Sequence, residues 1–177
     1  GSGNWKIKFL TDGEFITNLD LSLDVFLVGP GGYGGQPDDV PTSLIWNCSG
    51  GGGGYTLTSS VDIEKENVYP VNIGVVEDTS AFGFVALSGE DGTCSVGVNG
   101  AIQSGGAGGS GGGSSNGGNG GSDGSNGTIG ENGGIGQGTT TREFGEPDGQ
   151  LYSGGGAGLG GIGGEGGGGM EIIGWGG

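Results

Sequence analysis

Any chemistry in this chain would have to come from its carboxylates. Glu77 with Asp78, Glu90 with Asp91, and Asp38 with Asp39 are adjacent acidic residues, and paired acids are what a glycoside hydrolase uses as acid and base. The chain has no histidine, so neither Ser/His nor Cys/His activation of a nucleophile is open to it. Neighbouring acids in turn-forming sequence read as solvated charge, and the chain is expected not to be an enzyme. Glycine runs such as GGYGGQ lack the Lys-Ser/Thr of a phosphate loop. GGNGGSDGS has the outline of a calcium β-roll repeat, which would make Asp123 and Glu131 the ligands. Its aspartate stands one place late and the repeat does not recur, so no metal and no cofactor is expected. Cys48 and Cys94, with no histidine, are too few for a four-ligand zinc site. Two readings of them stay open, one disulfide or two small buried side chains in strands, and the second is the working expectation.

Recognition is better provided for than reaction. Tyr33 stands beside the acidic residues 36–40, which carry Asp38 and Asp39. Arg142, Phe144, Glu146, Asp148 and Tyr152 gather around a Pro147-Asp148-Gly149 turn. Aromatic rings give rigid contact area, while carboxylates and a guanidinium orient hydroxyl-bearing ligands. The competing reading makes Phe144 and Tyr152 core residues of a strand pair whose charges solvate its turn. Trp175 has the same two readings, a ring that closes the core or one that meets a partner.

The elements that would hold these side chains are strands. Trp5, Ile7 and Phe9 alternate with Lys6 and Lys8, Thr11-Asp12-Gly13 marks a turn, and Leu19, Leu21, Leu23, Val25 and Leu27 repeat the period of two. VFLVG then enters PGGYGG, and SLIWNC enters five glycines from which YTLTSSVDI leaves, so strands and glycine runs alternate. Further strands are expected at 68–76, 81–87 and 94–102, in TTTREF and in MEIIGW. No stretch has a helical apolar stripe with caps.

Residues 105–138 raise the question of linker or fold. Gly106, Gly109, Gly112, Gly118, Gly121, Gly124, Gly127, Gly130, Gly133 and Gly136 share one register in three, interrupted only at Ser115. A second row is glycine over the first half, and the third carries Ala107, Ser110, Asn116, Asn119, Ser122 and Ser125. Residues 154–169 repeat the pattern, with Leu159, Ile162 and Glu165 on the third row. A flexible spacer has no reason to keep register. Collagen would require proline, and 105–138 contain none. In a threefold extended helix each row is one face, and a face of glycine lets other backbones approach and pair laterally. This is the logic of a polyglycine II bundle. Ordering glycine costs about 1–2 kcal/mol per residue, against about 1 kcal/mol net for a hydrogen bond, so such helices should be ordered only when packed on an apolar scaffold. At about 3.1 Å per residue the tract would reach roughly 105 Å, so it must fold back, into runs of about eight to twelve residues at that rise. Ser114-Ser115-Asn116 and residues 128–132 are the expected reversals. Residues 50–54 and 166–169, all glycine, should be the most surrounded.

Glycine accounts for 54 of 177 residues, and 20 acidic residues face four basic ones for a net charge of −16. So acidic a surface repels phosphate backbones and anionic bilayers, which excludes nucleic acid and membrane insertion as expectations. No apolar run is long enough to span a bilayer and the first residues do not have the pattern of a leader. Residues 1–3, GSG, have the composition of a tag remnant.

The order LDVFLVGPGGYGG, CSGGGGGYTLT, a long glycine tract, and REFGEPDGQLYSGGGAGLGGIGGEGGGGMEIIGW resembles the glycine-rich domains of bacteriophage tail fibres and tail-tip adhesins. It is more distantly similar to the glycine-rich extracellular domain of anaplastic-lymphoma-kinase-type receptors. The resemblance, over roughly residues 19–177, implies an all-β fold: a β-sandwich, jelly-roll-like, with an inserted polyglycine II bundle and no α-helix of note. Residues 4–104 would form the scaffold with short glycine runs, and 105–177 the bundle with closing strands, in one domain. It further implies a non-enzymatic module of a virion tail or extracellular surface. Its partners would be a host cell-surface glycan or protein receptor and other tail proteins, with a homotrimer through a tail fibre. Ice binding, as in antifreeze proteins built on polyglycine II, is the competing expectation, and the charged residues within the glycine tracts (Asp123, Glu131, Glu165) argue against it.

Overall fold

The structure, a computed structural model, describes residues 5–35, 46–96, 101–129, 132–159, 161 and 172–176. Asp38, Asp39, Glu131, Glu165, the glycines 166–169 and the side chain of Trp175 lie outside the described residues. The described residues contain strands in antiparallel sheets and no α-helix.

The strands, in chain order, are β1 (Trp5–Phe9), β2 (Gly13–Ile16), β3 (Leu21–Val28), β4 (Trp46–Cys48), β5 (Thr56–Ile63), β6 (Val68–Asn72), β7 (Thr79–Ala81), β8 (Phe84–Ala86), β9 (Cys94–Val96) and β10 (Ile172–Gly176). One sheet has the order β1-β10-β3-β5, a second β2-β6-β7-β8, and β4 pairs with β9 alone. The period-two pattern of β3 puts Leu23, Val25 and Leu27 on one face. There they join Phe15, Ile63, Val71, Ile73, Ala81 and Ala86 in one buried cluster drawn from both four-stranded sheets. The other face of β3 is also covered at its end: Phe26 and Val28 pack with Tyr152 in a second cluster. Burial on both faces explains why VFLV is an unbroken apolar run.

AFGFVAL is not one strand. It breaks at Phe82-Gly83, with φ +53° and +82°, into the β7–β8 hairpin, the positive φ at both central positions being that of a type I′ two-residue turn. TTTREF is also not a strand. Arg142 makes one antiparallel bridge to Leu151, and Glu143–Gly145 form a 3-10 turn in which Phe144 has φ +52°.

Elsewhere the chain runs in extended segments whose hydrogen bonds recur every third residue. Gly32 and Gly35 donate to Gly52 and Ser49, and Gly89 and Gly92 to Pro30 and Tyr33. Gly106 and Gly109 donate to Gly50 and Gly53, Gly111 and Ser114 to Ser125 and Thr128, and Gly155 and Gly158 to Gly121 and Gly118. A β-ladder returns to the same neighbour every second residue; here the intervening groups turn to other segments. The N–H groups of Gly50, Gly52 and Gly53 reach Gly113, Glu90 and Ser110 at 2.9, 2.9 and 2.8 Å. The carbonyls of Gly50, Gly51, Gly52 and Gly53 accept from Gly106, Gly156, Gly32 and Gly109. Residues 50–54 are buried throughout and are surrounded as their composition predicts.

The segments are shorter than the expected eight to twelve residues. Residues 106–109 run parallel to 50–53 and 110–113 return antiparallel to them, so the chain reverses near Ser110. Further turns are Ser114 to Gly118, as expected, and Ser122 to Ser125. A run longer than its neighbours would expose unpaired backbone to no benefit, so the five-residue segment 50–54 sets the length. Buried serines serve the reversals: the hydroxyls of Ser110, Ser114 and Ser115 accept from the backbone N–H of Gly124, Ile129 and Gln103 at 3.1, 3.2 and 2.9 Å.

The cysteines correct the working expectation. Cys48 and Cys94 are disulfide-bonded. The β4–β9 register places them directly opposite with Cα atoms 4.2 Å apart, close enough for a bridge to be the outcome of the pairing.

Candidate functional site

The Arg142–Tyr152 region is a loop held at its base. Glu143 N–H donates to Gln150 O at 2.9 Å, and Thr141 Oγ1 donates to Tyr152 O at 2.6 Å. At its tip Gly149 N–H donates to Glu146 O at 2.9 Å, the four-residue turn that Pro, Asp and Gly favour at successive positions. Arg142 Nη1 donates to Gly149 O at 3.1 Å and Nε to Asp123 Oδ2 at 3.3 Å. The guanidinium therefore fastens the loop to the Ser122–Ser125 reversal.

The two aromatics face inward. Tyr152 is 2% exposed, its ring 5.4 Å from that of Phe26, and burial raises its phenol pKa. Phe144 is half-buried, its ring 5.7 Å from that of Phe26, with Lys6 Nζ 5.9 Å from its ring centre. Lys6 also pairs with the Glu143 carboxylate. Its pKa is lowered by burial first and by Lys8 second, against the opposing pull of Glu146. Glu146 and Asp148 are exposed on the turn. The chain thus brings Arg142, Phe144, Glu146, Asp148 and Tyr152 onto one loop but uses the aromatics as a clamp on Phe26, which is the core reading of them.

Tyr33 sits elsewhere. It is 55% exposed and lines an open depression of about 460 Å³ with Gly34, Asp91 and Gly92. Its N–H donates to Asp91 Oδ1 at 2.7 Å, and Gly92 N–H donates back to Tyr33 O at 2.8 Å. The sequence offered Asp91 only as half of an acidic pair, because its partner lies far away in the chain.

Asp123 has a different task from the one its calcium-like surroundings suggest. Its Oδ1 accepts from Thr140 Oγ1 at 2.5 Å and Thr141 N–H at 3.0 Å, while Oδ2 takes Arg142. The Thr140 hydrogen bond is the main cause holding its pKa below the usual carboxylate range; desolvation opposes this, and Thr141 and Arg142 add to it. A depressed folded pKa means stability that is present above the unfolded value and lost as pH falls through the folded one. Urea titrations below about pH 4 should therefore show the wild type losing stability more steeply than Asp123→Asn. Parallel pH profiles would remove this role from Asp123.

Among the described residues no cluster of three or more His, Cys, Asp or Glu stands close enough to hold a metal, and no helix is long and apolar enough to cross a membrane. The chain matches no protein-family model, no curated protein and no solved structure.

Proposed function

We propose that the chain is a non-enzymatic recognition module of a bacteriophage tail fibre or similar surface appendage, a β-sandwich carrying a bundle of polyglycine II helices, which binds a host cell-surface glycan or protein receptor. The observation that carries this reading is the three-residue hydrogen-bond period around residues 50–54. It is the period of a threefold helix, and the resemblance to tail adhesins rests on the same order of strands and glycine runs. A bundle whose walls are backbone offers little chemical variety, so recognition falls to the loops between elements. Of these, the turn with Glu146 and Asp148 and the depression with Tyr33 and Asp91 present polar side chains to solvent. The module would reside on a virion tail or another extracellular surface beside other tail proteins, as a homotrimer in a fibre.

Labelled protein applied to bacterial cells and to isolated cell-wall glycans tests the reading directly. Glu146→Ala with Asp148→Ala, and Tyr33→Ala separately, should leave melting within about 0.5 kcal/mol of wild type, as exposed substitutions do, and at least one should weaken binding about tenfold, the loss of one good polar or aromatic contact. No binding across hosts would leave a structural role in the appendage, and thermal hysteresis without binding would point to ice.

A further inference from the structure

The disulfide occupies a node of the glycine half. Cys48 is followed at once by the central segment, and Cys94 is preceded at once by residues 87–93. Ser49, next to Cys48, donates its N–H to Thr93 O at 2.9 Å and its hydroxyl to Ser104 O at 2.6 Å, and accepts from Thr93 N–H at 2.8 Å on its own hydroxyl. Ser49 O takes Gly35 N–H at 2.9 Å, and Cys48 O takes Leu159 N–H at 3.1 Å. Four extended segments are thus tied where the sulfurs join. Among the described residues the strand pairing at this node is only the three-residue β4–β9 ladder, and the rest of it is held by those hydrogen bonds of Ser49 and Cys48. The main hydrophobic cluster, from Phe15 through Ala86, contains no cysteine. Both cysteines are partly exposed, so a small thiol or disulfide can reach them.

We propose that the Cys48–Cys94 bond is a redox gate on the glycine half: the strand scaffold folds in either redox state, and the glycine segments become ordered only when the bond forms. The reason is a difference in what holds each half. The scaffold buries aliphatic and aromatic side chains, whereas the glycine segments have backbone hydrogen bonds that barely offset the entropy of ordering them. A cross-link spanning 46 residues biases the closed node by about a thousandfold on the chain-entropy model, which decides a half so nearly balanced. The gate closes by thiol–disulfide exchange with a small disulfide of the oxidised-glutathione class. One cysteine thiolate attacks it and releases one small thiol, and the second cysteine displaces the other. Two protein thiols and one small disulfide give one protein disulfide and two small thiols, which carry away the two protons and two electrons. A chain made in a reducing compartment would hold its glycine half open until it reached oxidising surroundings.

Amide hydrogen exchange on the full chain, resolved by segment across glutathione buffers of increasing oxidation, reads the gate. The expected result is that residues 49–54, 87–93 and 104–113 lose protection by at least about a hundredfold on reduction, in step with the thiol titre, while β3 and β5 keep theirs. Cys48→Ser with Cys94→Ser should reproduce the reduced pattern without reductant. Protection of the glycine segments unchanged within about threefold on reduction would overturn the proposal. Equal loss from β3 and β5 would overturn it too, because the scaffold would then depend on the same bond.

Discussion

Gly52→Val is expected to unfold the glycine half outright, with a loss of at least about 4 kcal/mol. A Cβ at Gly52 would overlap the carbonyl oxygen of Ala107, with that of Gly106 close behind. Rotamer choice cannot relieve this, because the obstacle is backbone that is itself bonded: Glu90 N–H donates to Ala107 O. Making room means parting the segments and giving up the bonds Gly52–Glu90, Gly32–Gly52, Gly53–Ser110 and Gly109–Gly53. Each is worth about 1 kcal/mol net, and a domain of this size has only about 5–15 kcal/mol in total. Gly117→Ala is the control. It meets nothing within 4 Å but has φ +72°, so it should cost only the left-handed strain of about 1–2 kcal/mol. Urea denaturation of both variants with segment-resolved hydrogen exchange checks the contrast, and a Gly52→Val protein with wild-type protection at 49–54 would refute the packing described.

The register of that packing was legible in the sequence. Every third glycine from Gly106 to Gly136 was visible as a row, and the described members of that row meet backbone where a Cβ would stand. The strand faces were legible for the same reason: Leu23, Val25 and Leu27 alternate, and burial follows alternation. The reversals were only partly so. Ser114-Ser115-Asn116 interrupts the row and was expected, but the turn at Ser110 preserves the glycine register, so nothing local marks it. Nor could the sequence choose between free and bonded cysteines, since Cys48 and Cys94 meet through a register set by β4 and β9 across 46 residues. The loop at 142–152 showed its turn in Pro-Asp-Gly. Its direction depends on Asp123, whose bonds to Thr140, Thr141 and Arg142 cross the chain.

Tyr152→Ala should be the most damaging single truncation outside the glycine segments, costing about 3–5 kcal/mol, as large-to-alanine core changes do. In a domain of this length that corresponds to a fall in melting temperature of about 6–20 °C. The ring is 2% exposed and fills the space over Phe26 and Val28, whose own exposures are 1% each, so its removal leaves a cavity bounded by β3 and the loop base. Tyr152→Phe keeps the tilted ring contact with Phe26 and should cost about 1 kcal/mol or less. Phe144→Ala falls between them: the ring is half-buried, and its loss forfeits one aromatic contact of about 0.5–1.5 kcal/mol together with its share of apolar cover. The order Tyr152→Ala, Phe144→Ala, Tyr152→Phe follows from an inward-facing clamp. A partner-binding surface predicts the reverse signature, with melting unchanged in all three and binding lost on truncation. Calorimetry and receptor binding on the same preparations distinguish them, because a clamp residue lowers the folded fraction while the folded molecules still bind as wild type does.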